Sequence, residues 1–408
     1  MNILAFEPFA QREGHFACYT TRACQALASS GHRITLVTTE MDPRPYLSAA
    51  PQFRVMNTGP SRLLAFRKRG AVLEGLLRGA SMIWDNIRVL FRLLGMVHKE
   101  RYDAIQFFDY DPVTTYGMLW TALRLLQIRM PPLYFVVIAA NYTAEDYTNS
   151  FYRLYGKLHH RMNRILLARY ARAIMADGLW RPGELEAQLG LETGIPPLYP
   201  IPHGIMVAEK PYPKEEARRA LGLRDDGIVL LYFGILRKDK GVELLIEAMG
   251  RVKGPCKLLL AGMPFDITEE AVRALIRSRG CEDKIVAHLD YIPQNRIAYY
   301  YSAADAVIYP YKSHYKGTVG TLNTALAFGK PVIGTELRSM TPYFEASTIG
   351  ILVKPDHVES LREGIERFMS LSRSEMEAMT RNGRKMAEAD SWASLAERFS
   401  EVYQRHLR

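Results

Sequence analysis

Short apolar runs alternate along the chain with longer stretches in which apolar positions recur every three or four residues. The runs at residues 2–6, 33–39, 53–56, 104–108, 133–139 and 172–176 read as strands, with helical periodicity at 16–29 and over a long region at 71–98. Lys210 to Lys214, with Pro211 and Pro213, reads as a hinge. The alternation then restarts, with strands at 228–233, 257–261, 285–289, 306–309 and 331–334 and helices at 242–252 and 269–278; amphipathic helices run from 357 to the end. Strands separated by helices of this length predict βαβ units and mainly parallel sheets. The expected class is α/β: two Rossmann-like, doubly wound domains, with a ligand cleft between the carboxyl edges of their sheets.

Length and composition agree with this division. A chain of 408 residues, 48% hydrophobic, exceeds one compact core and suits two. No apolar run reaches the roughly 20 residues of a membrane-spanning helix, and residues 1–6 read as a strand, not an export leader. The four cysteines, Cys18, Cys24, Cys256 and Cys281, lack metal-type spacing and read as buried thiols. A cytoplasmic location is the expectation. The net charge of +10 is uneven: residues 1–206 hold 23 Lys and Arg against 16 Asp and Glu. Residues 153–172 hold six cations and no acid. Such asymmetry suggests a face for an anionic partner.

Two segments carry chemistry. In Tyr232-Phe-Gly-Ile-Leu-Arg-Lys-Asp-Lys-Gly241 a strand ends at Gly234, a basic loop follows and a helix begins. That order brings Arg237 and Lys240 to the carboxyl edge of a sheet, where a planar fork and a point charge can meet a diphosphate. A solvated basic turn is the plain alternative. In the second, Ala304-Asp-Ala-Val-Ile-Tyr-Pro-Tyr311 leads through Lys316-Gly-Thr-Val-Gly320 into a helix from Thr321. Its free amides suit an anion, Gly320 permits close approach, and Thr318 and Thr321 add hydroxyls. Here the bland reading is a turn before a core helix.

Together with Gly14-His-Phe16, Gly31-His-Arg-Ile-Thr-Leu-Val37, Ile201-Pro-His-Gly-Ile205, Ala303-Ala-Asp305, Ala327-Phe-Gly-Lys-Pro331, Gly350-Ile-Leu-Val353 and Trp392, these segments fall in a specific order. In that order the chain resembles the large glycosyltransferase family that includes sucrose synthase and the phosphatidylinositol mannosyltransferases. The resemblance implies the GT-B fold: an acceptor-binding domain at 1–206, a nucleotide-sugar-binding domain at 207–390, and a last helix, 391–408, crossing back onto the first. It implies Arg237 and Lys240 at the donor diphosphate, with Gly234 in the same loop. Met263, Pro264, Tyr291 and Ile292 would line the nucleoside, Lys316, Thr318, Gly320 and Thr321 the phosphate and sugar. Gly14 would let the donor approach the first domain. The donor is thus a nucleotide-diphosphate sugar acting as substrate, with no cofactor and no metal ion expected. The family's paired glutamates fall at Lys316 and Thr324, and its frequent histidine after the strand 133–139 is Ala140.

Glycosyl transfer needs stabilisation of the departing diphosphate and can use a base at the acceptor hydroxyl. Asp109, Glu13, His15 and Asn141 stand at expected strand ends, with capping or turn roles as the simpler reading of each. Asp109 is the favoured base and Asn141 can only orient a hydroxyl. Arg62-Leu-Leu-Ala-Phe-Arg-Lys-Arg69 and the helices near 73–94 and 151–170 mix apolar and basic positions, which suggests an anionic membrane surface and a glycan or lipid-linked acceptor. The expected placement is therefore peripheral, on the inner face of a membrane. A nucleic-acid-binding module leaves the donor loops unexplained and lacks a recognised motif. An inactive scaffold that only binds sugar nucleotides is the remaining alternative.

Overall fold

The computed structural model describes residues 1–7, 15–38, 51–57, 84, 87–88, 91–108, 130–137, 157, 161, 164–165, 167–177, 183–189, 191–192, 194–201, 204, 211–223, 227–315 and 319–407. The chain divides into two compact units, Met1–Gly204 with Trp392–Arg408, and Ile205–Ser391.

Unit 1 is built on a seven-stranded parallel sheet in the order β3-β2-β1-β4-β5-β6-β7. Its strands are β1 (Asn2–Phe6), β2 (Arg33–Thr38), β3 (Phe53–Asn57), β4 (Ala104–Phe107), β5 (Leu133–Val137), β6 (Ala171–Asp177) and β7 (Leu198–Ile201). All residues of β4 and β5 are buried, as a parallel sheet covered on both faces requires. The alternation of side chains splits the interior in two. Ile3, Ala5, Ile34, Leu36, Tyr134 and Val136 point to one face, where α1 (His15–Ser29) lies. Leu4, Phe6, Val37, Phe107, Phe135 and Ile174 point to the other, where Leu93, Met96 and Leu167 of helical residues cover them.

The final helix of the chain, Trp392–His406, belongs to this unit. It buries Leu395, Ala396, Phe399, Val402 and Tyr403 in the α1-side core. The Tyr403 hydroxyl donates to Gln106 Oε1 at 2.7 Å, and Gln106 Nε2 donates to the Phe107 and Tyr134 carbonyls. One central-strand amide thereby fixes the helix from inside the core.

Unit 2 repeats the plan with six parallel strands in the order β10-β9-β8-β11-β12-β13. They are β8 (Ile228–Phe233), β9 (Cys256–Ala261), β10 (Ile285–His288), β11 (Ala306–Tyr309), β12 (Val332–Thr335) and β13 (Gly350–Val353). The helices, numbered onward from α1, are α2 (Glu184–Leu189) in unit 1 and, in unit 2, α3 (Lys214–Ala220), α4 (Val242–Arg251), α5 (Glu269–Ser278), α6 (Gln294–Ala303), α7 (Gly320–Ala327), α8 (Thr341–Ala346), α9 (Val358–Met369) and α10 (Arg373–Ala389); the final helix is α11. Asp305, just before β11, accepts from Arg218 at 2.7 Å, from the Val229 amide at 2.8 Å and from Lys214, and so clamps α3 to the middle of the sheet. The hinge reading therefore ends where α3 begins. Strands β7 and β13 are additions to the sequence-based expectation, which carried both segments only as motifs. Cys24, Cys256 and Cys281 are buried free thiols; burial holds Cys256 up at about 12.

Tyr403→Phe removes one buried hydrogen bond and leaves Gln106 Oε1 without its donor. The expected loss is about 1–2 kcal/mol of unfolding free energy, read by urea denaturation, with Tyr403→Ala costing about 3–5 kcal/mol. Equal stability of Tyr403→Phe and the parent chain would contradict the proposed anchor.

Candidate functional site

In both sheets the strand order reverses once, between β1 and β4 and between β8 and β11. Ligands of open α/β sheets sit beyond the carboxyl ends of strands at that reversal, because the two flanking connections leave in opposite directions. In unit 2 the flanking connections are the two segments singled out from the sequence.

After β8 the chain turns at Gly234, forms a single 3₁₀ turn at Lys238–Lys240 and enters α4 through Gly241. Gly241 has φ +67°, and a β-carbon there would stand 1.9 Å from the Pro310 carbonyl oxygen. This close approach packs the β8 loop against the β11 loop, and the Lys312 amide donates to the Asp239 carbonyl at 2.9 Å. The β9 loop joins on the other side: Leu236 N–H donates to Met263, Phe265 N–H donates back to Leu236, and Lys238 N–H donates to Asp266. At Gly262 an added β-carbon would meet the Gly234 carbonyl at 1.9 Å. Three loops are thus sewn together by backbone contacts, and the two glycines permit it.

The two cations in this frame have different surroundings. Arg237 is bound by Asp239, with Nε to Oδ1 at 3.0 Å and the second bond from Nη2 to Oδ2. Partial burial works against its charge, but the Asp239 carboxylate outweighs this and raises its pKa. Lys240 is half-buried, and its ammonium lies 5.6 Å from the centroid of the buried Tyr311 ring. Burial, helped by the neighbouring Arg237, pulls Lys240 down to about 8. Among the described residues no carboxylate pairs with it, whereas nearby Lys312 is bound to Glu243 at 2.6 Å. Lys240 is thus a half-buried cation without an ion pair among the described residues, and the neighbouring Lys238 is exposed.

Two helices begin in these connected loops. Helix α4 starts at Gly241 and α7 at Val319, and neither has a side-chain cap on its first-turn amides. Uncapped amides seek an acceptor, and the positive ends of both dipoles favour a negative one. Tyr311 links the parts, with Lys240 over its ring and the Thr321 side chain engaging its hydroxyl. Around the rim Ile235, Met263, Phe265 and Tyr291 are exposed apolar side chains, Phe265 at 71%. Ile292 and Pro264 are half-buried beneath them. An anion with an apolar or aromatic attachment fits this combination.

Gly234, Arg237, Lys240, Met263, Pro264, Gly320 and Thr321 lie on these connected loops, and Tyr291 and Ile292 follow β10. Lys316 and Thr318 lie outside the described residues, as do Glu13, Gly14, Asp109, Asn141 and Ala140; His15 begins α1, but its side chain is not among those described. Three residues escaped the sequence reading. Asp239, which holds Arg237, was visible in the basic loop but was passed over in favour of its cations. Tyr311 was visible beside Pro310. Glu7, fully buried after β1 at the reversal in unit 1, reads in sequence only as the end of a strand. A separate hollow of about 260 Å³ at the amino ends of β8–β10 is lined by Gly227, Pro255, Cys256 and Lys284. It lies at the opposite edge from both N-termini, and Lys284 is engaged there by the Met249 and Val252 carbonyls.

Residues 213–386 match the family model described as glycosyl transferases group 1. The match lies within unit 2 and covers less than half of the chain. Over 106 residues the chain is 35% identical to GDP-mannose:glycolipid 4-beta-D-mannosyltransferase of Xanthomonas campestris pv. campestris, covering 26% of this chain and 29% of that one. The chain spans less than half the length of the curated relatives it matches. Among solved structures it is similar to sucrose-phosphate synthase from Thermosynechococcus elongatus (TM-score 0.74, 18% identity, 99% and 98% of the two chains). It is also similar to Anabaena HepE in complex with UDP and glucose (TM-score 0.71, 16% identity, 99% and 100%). The fold is GT-B.

Because the free Lys240 ammonium titrates near 8 and only its charged form attracts an anion, binding of a nucleotide-diphosphate sugar should be level below that pH. Above it the affinity should fall, by up to about tenfold per pH unit. For the empty fold the sign reverses: the unfolded chain keeps this proton up to 10.5, so deprotonation stabilises the folded form between about 8 and that value. Titration calorimetry across this range reads the first effect, and Lys240→Arg should flatten it. An affinity that stays level through pH 9.5 in the parent chain, roughly 1.5 units above the Lys240 value, would contradict the assignment.

Proposed function

We propose that the protein transfers a sugar from a nucleotide-diphosphate sugar to a hydroxyl of a glycan or lipid-linked glycan. The observation that carries this reading is the half-buried Lys240 ammonium, without an ion pair among the described residues, in loops where two uncapped helices begin at the strand reversal of unit 2. The diphosphate would lie against Lys240 and the first amides of α4 and α7, and the apolar rim of Met263, Phe265 and Tyr291 would face the nucleoside.

In the reaction the bond from the anomeric carbon to the diphosphate oxygen breaks as the acceptor hydroxyl takes the sugar and gives up a proton. Charge develops on the leaving diphosphate, and donors already fixed around it lower that barrier without reorganising. Arg237 would contribute by exchanging an Asp239 oxygen for a phosphate oxygen. This set neutralises the leaving group with protein groups alone, so turnover should survive EDTA. Asp109 is the favoured acceptor-side base, with Glu13, His15 and Asn141 as the other candidates. Retention of anomeric configuration follows from the family resemblance. The glycolipid named for the Xanthomonas relative supports a role in cell-surface polysaccharide or glycolipid synthesis.

A thermal-shift screen against uridine, guanosine, adenosine and thymidine diphosphate sugars tests the reading and identifies the base. Arg237→Ala and Lys240→Ala should each weaken binding of the active donor by roughly 1.5–3 kcal/mol, the range for a lost charge-assisted contact. No shift with any sugar nucleotide at millimolar concentration would overturn the function. Binding without release of nucleoside diphosphate in the presence of acceptors would identify the inactive scaffold instead.

A further inference from the structure

At the edge of the unit 2 sheet opposite Lys240, the amino ends of β11 and β12 gather cations around one carboxylate. Asp305 stands just before β11 and Lys330 just before β12. Both oxygens of Asp305 are taken: Oδ1 by Lys214, and Oδ2 by Arg218 at 2.7 Å and the Val229 amide at 2.8 Å. Lys330 is half-buried beside this clamp, and its one hydrogen bond among the described residues runs from Nζ to the Ala304 carbonyl at 2.8 Å. Arg384 of α10 reaches the same place. Gly329 has φ +63°, and a β-carbon there would stand 2.5 Å from Arg384 Nε, so this side chain lies against the residue that precedes Lys330. Arg384 is exposed and has no hydrogen bond or ion pair among the described residues. Burial pulls Lys330 down to about 8; Asp305 works against that shift, whereas Lys214, Arg384 and Arg218 add to it.

We propose that Lys330 and Arg384 bind an oxoanion of the phosphate class at the amino edge of the unit 2 sheet, as a second anion site apart from Lys240. A simpler reading is that these cations only close the end of α6, since Arg218 donates to the Ala303 carbonyl at 3.1 Å and Lys330 to the Ala304 carbonyl. Those bonds account for Arg218, but they leave Arg384 without an acceptor. They also give Lys330 a dipole where its charge needs a counter-charge. An ammonium and a guanidinium carry more donors than these bonds use. Asp305 cannot supply the deficit, because Lys214, Arg218 and the Val229 amide already occupy it. A phosphate brings several acceptor oxygens and a full negative charge, and so suits a planar fork and a point charge side by side. Held there, it would tie α10 to the connection between α7 and β12, where Arg384 and Lys330 lie. The proposal goes beyond the sugar-transfer reading and does not rest on it.

The test is thermal unfolding of the full chain in sodium phosphate, in glycerol 3-phosphate and in sodium chloride of equal ionic strength. It is run on the Lys240→Ala background, so that phosphate at the other site does not contribute. The expected result is a melting temperature about 3 °C above the chloride value at a phosphate concentration ten times its dissociation constant. A response to both compounds assigns the inorganic ion as a sufficient ligand, and a response to the ester alone assigns an organic phosphate. Arg384→Gln removes no existing bond, so it should melt like its background in chloride and lose most of the phosphate response. Arg384→Lys should recover part of it, and Lys330→Met should lose it as Arg384→Gln does. If either variant melts lower in chloride, its own phosphate-minus-chloride difference still reads the site. No rise over chloride with either compound, or a rise that Arg384→Gln and Lys330→Met leave intact, would overturn the proposal. Sugar-nucleotide binding is read on the parent chain, so failure here is distinguishable from failure of the transferase reading.

Discussion

A lysine ammonium kept partly out of water, with an aromatic ring beside it and the neighbouring Asp239 carboxylate bound by Arg237, is the constraint around which the site in unit 2 is organised. Removing a cation from water without a counter-charge is unfavourable, and burial accordingly pulls the Lys240 pKa down. A solvated basic turn would show no such depression, because lysines in open solvent keep their ordinary value. The cation–π contact with Tyr311 offsets some of the cost and fixes direction. The remainder is recovered only when an anion arrives, so the fold holds an electrostatic deficit where a diphosphate would fit.

That deficit depends on backbone geometry far more than on the lysine itself. Gly241 and Gly262 let the loops after β8, β9 and β11 approach to distances that any β-carbon would forbid. The hydrogen bonds from Lys312 N–H to Asp239 and between Leu236, Met263 and Phe265 then hold them. Two helices begin within this stitched assembly with their amides uncapped, since a Ser or Asp cap would satisfy the donors that an anion needs. Asp239 works in the opposite sense on Arg237. It gives the guanidinium a partner in the empty site, so one cation is pre-neutralised and the other is not. Two residues that look equivalent in the sequence therefore have separate tasks.

Most of the strand framework was legible because parallel strands buried on both faces read as uninterrupted apolar runs, and β8 and β11 coincide with the runs expected for them. The run 2–6 also coincides with β1, and the other expected strands differ from the observed ones by one or two residues, as hydrogen bonding at strand ends has no hydrophobic signature. Strand β7, Leu-Tyr-Pro-Ile, was missed because Pro200 interrupts it; at the sheet edge its missing N–H costs no ladder bond. Strand β13 is too short and glycine-led to stand out by pattern. The positions of Arg237 and Lys240 followed from motif order, but their different electrostatic states did not. The Asp239 and Tyr311 contacts that separate them depend on side-chain direction and on the proximity of two loops about 70 residues apart in sequence, which no local pattern encodes.

The charge imbalance between the two halves gains physical meaning from this comparison. In unit 2 several cations have their own acids: Arg237 has Asp239, Lys312 has Glu243, and Lys214 and Arg218 share Asp305, whereas Lys240 and the exposed Lys238 have no ion pair among the described residues. The pairing of neighbouring cations with their own acids leaves the half-buried Lys240 the one drawn down by burial without an ion pair among the described residues of this loop. In unit 1, Arg92, Lys99, Arg161, Arg164 and Arg169 are exposed and have no ion pair among the described residues. A net charge of +10 taken over the whole chain hides this difference, since residues 1–206 alone hold 23 Lys and Arg against 16 Asp and Glu.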